Sequence, residues 1–294
     1  MTFVPLPDWR AAGHYFTHGG RTIFFRDDGP RDAPALLLVH GFPTASWDWH
    51  AIWPALAQRY RVVALDMLGF GWSAKPRDHD YRIAEQADLQ EVLLRRLGIA
   101  AYHVLAHDYG DTVAQELLAR RIDAPDAAPV LRSACFLNGG LFPETHRAAF
   151  VQKLLLSPAG PLVARLTGKR ALARNLRRIF GPQTPPDAAH VDAFWTLLMH
   201  DDGRAALPGL IRYIAERRAQ RTRWVGALQR APVPIKLVCG ASDPISGVHM
   251  AQRYHELVPA ADVTLLEHIG HYPQLEAPDA VLHAYLRFRA DQHC

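Results

Sequence analysis

The sequence predicts an α/β protein: a mostly parallel twisted sheet with an antiparallel N-terminal edge, helices on both faces and a helical cap. Three observations carry that prediction. Short apolar runs ended by a breaker recur along the chain, stretches with helical spacing lie between them, and one interval, residues 141–232, holds no strand-like run. Strand and helix in alternation imply a parallel sheet covered on both sides.

The elements follow in order. YFTHGGRTIFFRDDG (residues 15–29) alternates around Gly19-Gly20 and predicts a hairpin at the sheet edge. ALLLVHG (35–41) is a buried-strand signature. RVVALDM (61–67), YHVLAHD (102–108), SACFLNG (133–139), IKLVCGASD (235–243) and VTLLEHIG (263–270) repeat it. Ile83, Ala87, Leu94 and Leu97 share one helical face, as do Val113, Ala114, Leu117 and Leu118. The strandless interval contains RAAFVQKLLL, KRALARNLRRIF, HVDAFWTLLMH and LIRYIAERRAQ, with breakers such as FGPQTPPD between them. The expected organisation is a core in two parts, 1–140 and 232–294, with a helical insertion over 141–231.

Composition sets the class. The chain has 294 residues, 49% hydrophobic and 21% charged, as expected of a globular enzyme and not of a disordered chain. No run approaches about 18 apolar residues, so no transmembrane segment is expected, and the start lacks the pattern of a signal peptide. Three widely spaced cysteines, Cys135, Cys239 and Cys294, argue against a disulfide framework or a zinc site. Cys135 and Cys239 are expected core fillers, and the expected compartment is a reducing cytoplasm. No metal, cofactor or nucleic acid is expected; oligomeric state is open. Net charge is +4, but residues 141–230 hold fifteen Lys/Arg against six Asp/Glu. A solvated basic face explains that imbalance; an anionic partner or a membrane surface is the sharper reading.

In open α/β sheets, chemistry gathers outside the carboxyl ends of the strands. Those ends read His40-Gly41-Phe42-Pro43, Asp108-Tyr109-Gly110, Asn138-Gly139-Gly140, Asp243-Pro244 and Gly270-His271. Ala106-His107-Asp108-Tyr109-Gly110 has the small-x-nucleophile-x-small spacing of a nucleophile elbow, with aspartate in the place usually held by serine. A helix cap is the structural alternative for Asp108.

With these motifs the chain resembles α/β-hydrolases of the epoxide hydrolase and haloalkane dehalogenase branch. HGFP (40–43) matches the HGxP pattern of epoxide hydrolases, and DMLGFGWS (66–73) matches the DxxGxGxS stretch after it. The resemblance runs from about Trp9 to the C-terminus and implies an α/β-hydrolase fold. It implies Asp108 as nucleophile, His271 as base and Asp243 as the acid orienting it, with the N–H groups of Phe42 and Tyr109 as oxyanion hole. Asn138 stands at the competing acid position, and His268 is the rival of His271.

An aspartate is already deprotonated at neutral pH and can attack an sp³ carbon, leaving an alkyl ester that a His-activated water hydrolyses. Epoxide opening calls for acidic donors, usually two tyrosines from the cap. Here the cap has one, Tyr213, and His146 is the candidate second donor. A halide calls for N–H donors; Trp195 and Trp224 are the candidate indoles. The leading expectation is an epoxide-hydrolase-like enzyme acting on a small hydrophobic substrate and water. Haloalkane dehalogenase comes second, then strained-lactone opening, and last a non-catalytic binding protein. An unshifted His271 would give activity rising through roughly pH 6 to 7.

Overall fold

The short apolar runs form strands. The computed structural model describes residues 4–292, so Cys294 lies outside the described residues. The strands are β1 (His14–His18), β2 (Arg21–Asp28), β3 (Ala35–Val39), β4 (Arg61–Leu65), β5 (Ala101–His107), β6 (Val130–Leu137), β7 (Ile235–Gly240) and β8 (Asp262–Leu266). They make one sheet in the order β1-β2-β4-β3-β5-β6-β7-β8. β2 is antiparallel to both β1 and β4, and all other pairs are parallel. The hairpin turns on Gly19 (φ 54°) and Gly20 (φ 73°), both left-handed, as a two-residue primed turn requires.

Side chains alternate across the sheet. Leu37, Val104 and Phe136 enter the core on one face; Leu36, Leu38, Leu105, Cys135 and Val238 enter the core on the other. Cys135 and Cys239 are free and buried, as expected of fillers. β5 is paired on both sides, to β3 and β6, so its carboxyl end emerges from the middle of the sheet. The helix Tyr109–Asp123 starts immediately after it. Gly110 passes so close to the Val39 and His40 carbonyls that a Cβ there would collide with backbone, which is why the elbow needs a small residue.

Between β6 and β7 only helices occur among the described residues, including Phe150–Leu155, Gly160–Leu166, Lys169–Ile179, Ala188–Met199, Tyr213–Ala219 and Arg221–Gln229. Lys169–Ile179 turns Leu172 and Leu176 inward. Asp187 ends the proline-rich break before Ala188–Met199 and caps that helix by accepting from the His190 N–H at 2.8 Å.

Candidate active site

Asp108 sits at the turn between β5 and the helix Tyr109–Asp123. Its φ of 50° and ψ of −105° lie outside the regions that non-glycine residues favour, and it precedes the first helical residue. Its side chain makes no cap hydrogen bond. The carboxylate is turned away from the helix instead: Oδ2 accepts from the Phe42 N–H at 3.0 Å, and Oδ1 stands 3.9 Å from His271 Nε2. The strained backbone aims the carboxylate at these partners. Tyr109, the first residue of the following helix, has an N–H with no intrahelical acceptor by position.

The HGFP loop is held by its own histidine. His40 accepts from the Met67 N–H through Nε2 at 3.0 Å, so Nδ1 carries the proton and donates to the Gly41 carbonyl at 2.9 Å. Burial lowers its pKa, which keeps this neutral tautomer. Asp66, which opens the DxxGxGxS stretch, accepts from the Ser46 N–H at 2.8 Å and the Trp72 N–H at 2.7 Å. Gly71 (φ 49°) leaves room for that carboxylate. Both motifs therefore shape loops around Asp108 and do not themselves face it with reactive groups, apart from the Phe42 amide.

His271 follows β8 and donates from Nδ1 to Asp243 Oδ2 at 2.8 Å. Asp243 also accepts from the Ile245 N–H (2.8 Å), the Ser246 hydroxyl (2.7 Å) and Asn138 Nδ2 (3.1 Å). Burial alone would raise the Asp243 pKa, but the charge of His271 and these donors lower it. Burial alone would likewise lower that of His271; the charge of Asp243, its hydrogen bond and the charge of Asp108 overcome this and hold it at about 9. The condition of an unshifted imidazole, on which a window of pH 6 to 7 depends, does not hold, because two carboxylates flank the ring. His268 is exposed, on the turn before Gly270, and Asn138 serves Asp243 in place of being an acid.

Several groups near the site carry no sequence signal. His107 donates through Nε2 to the His271 carbonyl at 2.7 Å. Glu276 accepts from the N–H groups of Gly181 (2.7 Å), Gly270 (2.9 Å) and Tyr272 (2.9 Å), tying the His271 loop to the inserted helices. Arg217 is 2% exposed, donates to the Asp108 carbonyl at 3.0 Å and to Thr112 Oγ1 at 2.6 Å, and lies over the Tyr213 ring. In sequence it is one more arginine in a basic helix.

A cavity of about 480 Å³ joins Asp108 and His271 to the inserted helices, with Phe42, Leu155, Leu176 and Ile245 among its mostly apolar walls. The four candidates from the insertion are placed unevenly. Tyr213 is buried with its ring 4.8 Å from that of Tyr109 and 6.2 Å from that of Phe42, and its hydroxyl has no hydrogen-bond partner. Both ring nitrogens of His146 also lack a hydrogen bond; burial and the charge of Arg217 push its pKa down to about 3, so it is neutral at pH 7. Tyr213 and His146 feel the charge of Asp108 but are not among the residues lining the cavity. Trp224 spends its indole N–H on Glu116 at 2.8 Å, and Trp195 packs between the two cores. Neither indole lines the cavity, so the structure does not bring the two halide donors to Asp108. Among the described residues no group of three or more His, Cys, Asp or Glu is arranged to hold a metal ion.

The arrangement is a buried carboxylate, an imidazole hydrogen-bonded to a second carboxylate, and a backbone N–H donor beside an apolar cavity. The family pattern described as the alpha/beta hydrolase fold matches residues 34–278. The mesoderm-specific transcript protein of Mus musculus is 42% identical over 292 residues, covering 96% of this chain and 87% of its own. LipZ of Mycobacterium tuberculosis is 39% identical over 292 residues, with 99% and 100% covered. The haloalkane dehalogenase DbeA-M1 loop variant from Bradyrhizobium elkanii superposes with a TM-score of 0.78 at 24% identity, over 96% of this chain and 98% of that one.

Proposed function

This chain belongs to the alpha/beta hydrolase family, and from that premise we propose that it opens hydrophobic epoxides through a covalent ester on Asp108. One observation carries the reading: the Asp108 carboxylate has one oxygen on the Phe42 N–H and the other facing His271, beside an apolar cavity. Oδ1 attacks an epoxide carbon, the C–O bond to that carbon breaks, and the ring oxygen leaves as an alkoxide that takes up a proton. Tyr213 and the neutral His146, each with an unpartnered buried polar group close enough to feel the Asp108 charge, are the candidate donors, and they reach the cavity only if the segments carrying them shift. The helices of 141–231 act as the cap that brings both.

The second half-reaction hydrolyses the ester. His271 takes a proton from water, and the hydroxide adds to Asp108 Cγ. The charge that develops on Oδ2 is met by the N–H of Phe42 and that of Tyr109. Collapse breaks the Cγ–Oδ1 bond, the departing alkoxide takes the proton from His271 to complete the diol, and the acid proton left on Asp108 returns to the donor of the first step, restoring the carboxylate. Asp243 keeps Nε2 facing the water and stabilises the imidazolium. Alkylation itself primes this step. It cancels the Asp108 charge, one of the negative charges that hold the imidazole near pH 9, so His271 becomes a better base once the ester has formed.

Haloalkane dehalogenation by the same aspartate is the second reading. The engagement of Trp224 by Glu116 counts against it, since a departing halide needs such an N–H donor free. The test is product analysis with His271→Gln. That variant, mixed with styrene oxide, is expected to gain the mass of one epoxide on the peptide containing Asp108. Halide release from haloalkanes without diol formation from epoxides would instead assign dehalogenation. No adduct with any epoxide or haloalkane would leave a binding protein on this fold.

A further inference from the structure

The inserted helices carry a surface that the chemistry above does not use. Residues 145–186 contain eight Lys or Arg and no Asp or Glu. Lys169 pairs with Asp192, but the other seven have no carboxylate within ion-pair distance among the described residues. Elsewhere basic side chains are commonly paired, as Arg61, Arg120, Arg223 and Arg253 are. Arg170, Arg174 and Arg177 project outward from the helix Lys169–Ile179 while Leu172 and Leu176 face in.

The same stretch exposes large apolar side chains. Phe150 is 73% exposed, Leu162 59% and Leu166 74%. Leu162 and Leu166 are one turn apart on the helix Gly160–Leu166 and form one stripe. Exposed arginines alone would fit any polyanion. Leucine and phenylalanine among them gain nothing from a polyanion in water, whereas a membrane interface accepts both kinds of side chain. One end of the stretch borders the cavity: Arg147, Phe150 and Arg178, all exposed, line the space that reaches Asp108 and His271.

We infer that this face docks on an anionic lipid bilayer, with Phe150, Leu162 and Leu166 in the interface, the arginines on phosphate headgroups, and the cavity opening toward the lipid. An apolar substrate dissolved in the bilayer then reaches the site without crossing water. The docking stands on the surface alone and does not depend on the aspartate chemistry.

Vesicle flotation of the full chain tests it, using phosphatidylcholine alone and phosphatidylcholine mixed with phosphatidylglycerol. The protein is expected to float with the mixed vesicles only, and to be released at least roughly tenfold by about 0.5 M salt. Arg170→Glu/Arg174→Glu/Arg177→Glu should lower the partition about tenfold or more, and Leu162→Ser/Leu166→Ser about fivefold, with melting temperatures unchanged. Absence of flotation with phosphatidylglycerol would overturn the inference. So would a leucine pair variant that floats like the parent, because the surface would then read charge alone and an acidic protein or nucleic acid would be its partner. Should the pair variant melt early, Leu166→Cys carrying an environment-sensitive fluorophore reads the same contact. A blue shift on mixed vesicles supports docking and an unchanged emission overturns it.

Discussion

His271 is asked to accept a proton, yet in the resting protein it holds one up to about pH 9. The two roles are compatible because the flanking charges change during turnover. Once Asp108 is an ester, its charge no longer adds to those of Asp243 and Glu276 in holding the imidazolium, and the pKa must fall. Decay of the ester, followed by single-turnover mass spectrometry, should therefore accelerate with pH through a midpoint below 9; a midpoint at or above 9 would contradict the charge argument. The same shift acts on stability. A folded-state pKa raised above 6.5 means that the stabilisation is complete below that pH and is lost as pH rises through about 9. Thermal melts from pH 7 to 10 should show a steeper loss for the parent than for His271→Gln. Asp243→Asn, which replaces the charged acceptor of the imidazole by a neutral amide and loses control of its tautomer, should lower kcat by about three to four orders of magnitude, measured as diol formation. These residues were visible in the sequence because each ends a strand-like run. Arg217 and His107 were not: their partners are backbone carbonyls 109 and 164 residues away, and no local pattern marks such contacts.

At the scale of elements, the site depends on how the His271 loop meets the helix Lys169–Ile179. The His271 N–H donates to the Ile179 carbonyl at 2.8 Å, and a Cβ on Gly270 would collide with the Ile179 carbonyl and the Gly181 nitrogen. Gly270→Ala is expected to cost about 1–3 kcal/mol by overpacking, read as a drop in the urea midpoint. Glu276→Ala leaves the N–H groups of Gly181, Gly270 and Tyr272 without their acceptor, and should cost about 3 kcal/mol or more in the same measurement. An unchanged midpoint in both variants would refute this account of the junction. The strands were readable because fully buried runs such as ALLLV, bounded by breakers, admit few other conformations. The inserted helices were readable as helical but not in detail. RAAFVQKLLL reads as one helix, whereas the helix begins at Phe150 and ends at Leu155, and Gly160–Leu166 has no marked period of its own. Their limits are set by packing on neighbouring helices, which local spacing does not record. The same holds for Trp224, whose indole is claimed by a glutamate on the helix Tyr109–Asp123.

For the molecule as a whole, the parallel sheet places the ends of β5, β7 and β8 at one edge, so that residues 108, 243 and 271 converge though more than a hundred positions separate the first from the others. Strand alternation put these positions, with His40 and Asn138, at one edge, and the family resemblance picked out the three. What lines the cavity opposite Asp108 was not predictable, because it comes from helices packed across the edge. The central claim is that Asp108 supplies the oxygen first given to substrate. Single-turnover reaction with an epoxide in H₂¹⁸O, with enzyme in excess, tests this most directly. An ester on Asp108 predicts a first-turnover diol free of ¹⁸O and a labelled Asp108 peptide. A labelled diol with an unlabelled Asp108 peptide would show direct attack by water and contradict the account.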